Sequence, residues 1–196
     1  RVEKLRNPLL AYACLEAGIG LFALAVPLLL DALKPLYVEL ARLGLSFPAF
    51  ALGRSLLAAA VLLVPTTIMG ATFPVLVRHW TDSGRGLRRG TGALYFANTA
   101  GAIAGCALAG FRLVEAFGLV GTSRIAAATN VALALVAAWL ARGSGEAASR
   151  RAEAEVGNAA APLPSRMALL VLACAGLSGF VSLVAEVLWS RALLRY

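Results

Sequence analysis

The sequence predicts an all-α, polytopic membrane protein with five transmembrane helices. Three observations predict it. The 196 residues are 60% hydrophobic and only 14% charged, where a soluble domain is about a quarter charged. Mean hydropathy is +0.81. The apolar residues also fall in long uninterrupted runs, which is how membrane spans are written. Polar surface is too scarce to coat a water-soluble fold of this size. The same numbers exclude a disordered chain and a nucleic-acid-binding domain.

A crossing needs about 20 apolar residues, and five runs supply them. The first covers 9–30 and is interrupted only by Glu16. The second, 55–77, and the third, 90–111, carry no charge. The fourth, 125–141, is short at 17 residues, and a snorkelling Arg124 extends it to 124–141. The fifth begins at Met167 and carries Glu186 near its end. Between the first two runs, 35–45 mixes apolar and charged residues at helical spacing, as a short interfacial helix does. Residues 81–90 form a tight cationic loop and 115–123 a glycine-containing turn. Residues 142–166, rich in Ala, Arg, Glu, Gly and Pro, lack apolar periodicity and read as an exposed linker, partly disordered. The expected organisation is therefore four helices within 1–141, a linker at 142–166, and a fifth helix in 167–196 opening a second half.

Charge sets the expected orientation. Lys plus Arg number 18 against 10 acids, a net charge of +8. The cations flank apolar runs, so phospholipid headgroups and topology account for them. Segments before the first span, between the second and third, and around the linker hold 11 cations, against 7 in the alternate segments. That bias places the Arg1 side and the 142–166 linker in the cytoplasm, expected to be that of a bacterium with this chain in its inner membrane. The start at Arg1, with no apolar leader, reads as an internal fragment of a longer protein. Cys14, Cys106 and Cys174 lie in separate apolar runs and His79 is the sole histidine, so no metal site is expected. A GxGxxA string at 143–148 lacks the preceding strand of a cofactor loop. No catalytic motif and no cofactor site is expected in this fragment.

The candidate binding residues are polar groups placed where lipid or protein surrounds them. Glu16 stands well inside its span, and a carboxylate there faces protein or a water-filled cavity. Tyr12, Glu16 and Gly20 share one helix face. Either Glu16 takes up a proton or a cation, or it is a protonated group gluing helices together. The stretch 65–74 holds Pro65, Gly70 and Pro74, which break or kink a helix. Thr66, Thr67 and Thr72 are candidates to satisfy the freed carbonyls, and such broken helices line substrate sites in transporters. Gly101 and Gly105 form a GxxxG spacing for close helix packing. Asn98 needs a partner, for which Glu16 or a freed carbonyl of the second span would serve. Glu186 and Trp189 either anchor at the interface with Arg191 or form a carboxylate–indole pair for an organic cation. The substrate-binding set is Glu16, Thr66, Thr67, Asn98, Glu186 and Trp189.

Four stretches carry a family resemblance: NPLLAYACLEAGIG at 7–20, MGATFPVLVR at 69–78, GALYFANTAGAIAG at 92–105 and GLSGFVSLVAEVLWSR at 176–191. In order and spacing they resemble the membrane domain of spermidine-synthase-like proteins, the fusions of a major-facilitator-like bundle with a spermidine synthase. Glu186, Trp189 and Arg191 match the Glu–x–x–Trp–x–Arg helix that opens each half in that family. The resemblance implies that the chain holds helices three to seven of a major-facilitator-like bundle. Its implied partners are the bilayer, the remaining helices and a cytosolic aminopropyltransferase-like domain, with no nucleic acid. It implies a membrane module that binds or transports polyamines or related metabolites, any transferase chemistry lying outside this chain. The alternatives are a transporter unrelated to polyamine synthesis and a structural anchor or assembly subunit.

Overall fold

The structure, a computed structural model, describes residues 7–82, 87–154 and 165–193. Its elements are α1 (Pro8–Arg42), α2 (Phe47–Asp82), α3 (Leu87–Leu108), a π-helical turn (Ala109–Leu113), α4 (Val114–Ala154) and α5 (Ser165–Leu193). The described chain is all-helical. Its long apolar helices are compatible with a bundle in a membrane.

α1 starts where Asn7 caps it. The Asn7 Oδ1 accepts from the Leu10 amide at 3.2 Å, and Pro8 occupies the first turn, where its missing amide hydrogen costs nothing. The helix then runs through Pro27 and Pro35 to Arg42, so 35–45 is no separate interfacial helix, and its residues to Arg42 continue α1. At Pro27 the reason is visible. A proline leaves the carbonyl four residues back without its amide partner, here Ala23, and Ser123 Oγ of α4 donates to that carbonyl at 3.2 Å. Gly44, at φ 61°, takes the left-handed turn after the helix end. Beyond Asp31 the surface of α1 carries the ion pairs Lys34–Asp31 and Arg42–Glu39. The last turns of α1 and the first turns of α2 pack together there. Tyr37 meets Phe50 edge-on at 5.6 Å, and Gly53 leaves room for the Leu40 side chain.

α2 also runs unbroken, through Pro65 and Pro74. Its threonines bond next to the carbonyls those prolines free, not to them. Thr66 donates to Leu62 O at 2.7 Å, Thr67 to Leu63 O at 2.6 Å and Thr72 to Met69 O at 2.7 Å. Only 11% of its most apolar stretch is buried, against 44% for α1 and α5.

α4 bends at Gly118, whose φ of 66° and ψ of −178° are not helical. Together with the π-helical turn this reverses the chain between α3 and α4. The turn expected at 115–123 thus centres on one glycine. Residues 142–154, expected as linker, continue α4 as helix. Alanine, arginine and glutamate are strong helix formers, which accounts for it. Residues 155–164 lie outside the described residues.

Neighbouring helices alternate in direction. Asn7 Nδ2 reaches Ala141 O at 3.3 Å, while Ser123 meets Ala23, so α1 and α4 are antiparallel. Gly18 faces Ile68 and Leu40 faces Gly53, so α1 and α2 are antiparallel as well. Tyr12 bonds Cys174 and Glu16 bonds Ser178, so α1 and α5 run parallel. α3 and α5 are parallel and touch through backbone. A Cβ added at Gly101 would run into the carbonyl of Gly176, one at Gly105 into that of Phe180, and one at Gly179 into that of Asn98. The GxxxG spacing of α3 is therefore one side of a glycine-to-glycine contact with α5.

The core forms three clusters along the bundle. Leu9, Leu140 and Ala141 close one end. Tyr12, Leu76, Leu94, Leu133 and Val171 fill the middle. Val26, Ala109, Ala126, Val184 and Trp189 fill the other end. Large apolar side chains also face outward, among them Leu21, Leu28, Phe96, Phe111 and Trp139.

Candidate functional site

Glu16 is the centre of the candidate site. It lies eight residues into α1, about 12 Å from the helix start, and has no exposed surface. Ser178 Oγ of α5 donates to its Oε1 at 2.6 Å. Among the described residues, no group bonds its Oε2. Tyr12, one turn earlier on the same face, is fully buried, and its hydroxyl lies beside the carboxyl. That hydroxyl donates to the Cys174 carbonyl at 3.2 Å. Cys174 and Ser178 are themselves one turn apart on α5. Two hydrogen bonds thus join α1 and α5 as successive rungs, Tyr12 to Cys174 and Glu16 to Ser178.

The sequence explains the arrangement locally. Tyr12, Glu16 and Gly20 recur every four residues, so they form one stripe of α1. Gly20 lets α4 come close: a Cβ there would lie 3.2 Å from the Ala127 carbonyl and from Asn130 Cβ. Magnitudes show why the Ser178 bond matters. A charged side chain at the middle of a bilayer costs about 2.5–3.5 kcal/mol on insertion scales. One hydrogen bond to a charged group returns about 1.5–3 kcal/mol. A single donor offsets much of the cost and leaves the second oxygen as the reactive half of the group.

The other expected residues do not converge on Glu16. Thr66 and Thr67 are exposed on α2 with their hydroxyls on their own helix. Asn98 is half-buried on α3, with its backbone and Oδ1 against Gly179. It is not the partner of Glu16. That place is taken by Ser178, which faces α1 while its neighbour Gly179 faces α3. Glu186 is exposed, whereas Trp189 is buried and meets Phe22 edge-on at 5.9 Å. The carboxylate and the indole therefore share no cavity, and Trp189 packs the bundle interior instead of an interfacial belt. Arg191 donates to the Gly110 carbonyl at 3.3 Å, tying α5 to the turn between α3 and α4.

Sequence reasoning missed Ser178 as the partner, and also Ser123 and the buried Asn130. Each is one small polar residue in an apolar run, with nothing local to mark which helix it faces. No protein family, no curated protein and no solved structure matches the chain.

Proposed function

We propose that the chain is the membrane module of a spermidine-synthase-like protein, and that it handles a polyamine or a related amine through the buried carboxyl of Glu16. The observation that carries this reading is the carboxyl itself, enclosed among apolar helices with one oxygen held by Ser178 and the other unpaired. An ionisable group in that setting marks a functional site. The partners that neutralise it are a proton and an ammonium group. The four motif stretches support the choice of an amine. A proton suits the closed arrangement, and an amine reaches Glu16 when α1 and α5 separate.

The alternating helix directions support five crossings in a major-facilitator-like bundle. The cation bias supports a cytoplasmic location for the Arg1 side and for 142–166, in a bacterial inner membrane. The remaining helices, and a cytosolic aminopropyltransferase-like domain, are then partners within the same protein.

Binding of labelled spermidine to the full-length protein in lipid nanodiscs tests the reading. Glu16→Gln abolishes binding on this account. Thr66→Val and Thr67→Val leave it unchanged, because those hydroxyls face away from the carboxyl. Binding retained by Glu16→Gln overturns the proposal.

A further inference from the structure

The carboxyl of Glu16 has two oxygens, and the bundle gives a hydrogen-bond donor to one of them. Ser178 holds Oε1 at 2.6 Å, while Oε2 is enclosed and unpaired. The hydroxyl beside it belongs to Tyr12, which donates elsewhere, to the Cys174 carbonyl at 3.2 Å. That distance is long for a bond from a hydroxyl, which centres on about 2.7–2.8 Å. A phenolic hydroxyl both donates and accepts, and its hydrogen turns about the C–O bond.

Two arrangements of the same atoms satisfy the carboxyl. With a proton on Oε2, Glu16 donates to Tyr12 Oη, and Tyr12 donates to the Cys174 carbonyl. Without it, the Tyr12 hydrogen turns onto Oε2, and the Cys174 carbonyl loses its partner on α1. The two states differ by one proton, exchanged with water. Two bonds join α1 to α5 in the first state and one in the second.

We propose that Tyr12 is the positioning residue that registers the proton on Glu16, moving its hydroxyl between the Cys174 carbonyl and Glu16 Oε2 and so releasing one rung between α1 and α5. This rests on the reading of Glu16 as the ionisable centre. The surrounding elements contribute Cys174 and Ser178 from α5, Asn130 from α4 and Thr72 from α2, with Arg78 and His79 further along α2. Of these, Cys174, His79 and Arg78 are the titratable or charged groups. The two hydroxyls are the groups placed at the carboxyl itself.

Infrared difference spectra of the full-length protein in lipid, recorded between low and high pH, test the proposal. The Glu16 band is the protonated-carboxyl band that disappears in Glu16→Gln. Tyr12→Phe keeps the ring and removes the hydroxyl, and is expected to move that band to higher wavenumber. In wild-type protein with isotope-labelled tyrosine, a tyrosine C–O band is expected to change in step with the Glu16 band and to stay constant in Glu16→Gln. This second measurement decides the matter even where Tyr12→Phe does not fold. A Glu16 band that ignores Tyr12→Phe, a tyrosine band that ignores the titration, or the absence of any band lost in Glu16→Gln overturns the proposal. The amine reading stands or falls separately, by the spermidine assay, because these bands report the proton whether or not an amine binds.

Discussion

At Pro27 the chain lacks the amide hydrogen that would bond the Ala23 carbonyl, and Ser123 of α4 donates to it instead. In lipid no water stands in for such a donor. Ser123→Ala therefore leaves a carbonyl orphaned inside the bundle, at a cost of about 1–3 kcal/mol. Thermal unfolding in a fixed detergent reads that loss, and an unchanged midpoint would show that the carbonyl finds another donor. Glu16 was legible in the sequence because a carboxylate in an apolar run is costly wherever the helix turns. Ser123 and Ser178 were not. A serine is tolerated on any face of a membrane helix, and their partners lie 100 and 162 residues away. The pairing of Asn98 with Glu16 failed for the same reason. Polarity identifies a residue that needs a partner, but only packing says which helix comes close enough to supply one.

At the scale of elements, the contact between α3 and α5 is the most demanding in the bundle. Gly101, Gly105 and Gly179 each face a carbonyl of the other helix, with no space for a Cβ. Alanine at any of these positions pushes the backbones apart, a change in the range of about 1–3 kcal/mol or more. Gly70 and Gly92 have open space around them, so alanine there costs nothing sterically and gains up to about 1 kcal/mol of helix propensity. Unfolding of these five variants should divide them into two groups. Equal behaviour would mean that the α3–α5 contact is looser than described. The GxxxG half of this contact was readable from its spacing. The other half was hidden, because Gly176 and Gly179 are three residues apart and match no familiar pattern. Proline signals misled in the opposite direction. Pro35 and the nearby charges suggested that the first span ends before 35–45, yet α1 continues to Arg42. A proline removes one hydrogen bond and bends a helix, but it does not end one whose neighbours hold it straight.

For the whole molecule, composition and run length were enough to name an all-helical chain suited to a membrane, because both report the solvent around the fold. The neighbour relations were not legible. Nothing in five similar apolar runs says that α1 lies against α2, α4 and α5 together, or that α3 and α5 meet backbone to backbone. The alternating directions predict sidedness. With the native cysteines replaced, single cysteines at Ser83 and Ser144 should react with an impermeant thiol reagent from the same side of sealed vesicles. One at Ser46 should react from the other. Labelling of Ser46 and Ser83 from one side would remove a crossing and with it the five-span arrangement.

The length of α1 has a consequence for the membranes that can hold this protein. Its apolar stretch, Pro8–Leu29, is 22 residues, or about 33 Å of helix, close to the 30 Å of a hydrocarbon core. The Lys34–Asp31 ion pair follows directly. α2 has no such mark, since its apolar stretch runs for 35 residues, Phe47–Thr81. A thicker bilayer can slide further along α2 without meeting a charge, but on α1 it must cover an ion pair or thin around it. α1 is thus the ruler of the bundle, and mismatch between lipid and protein would first be felt as strain at Asp31.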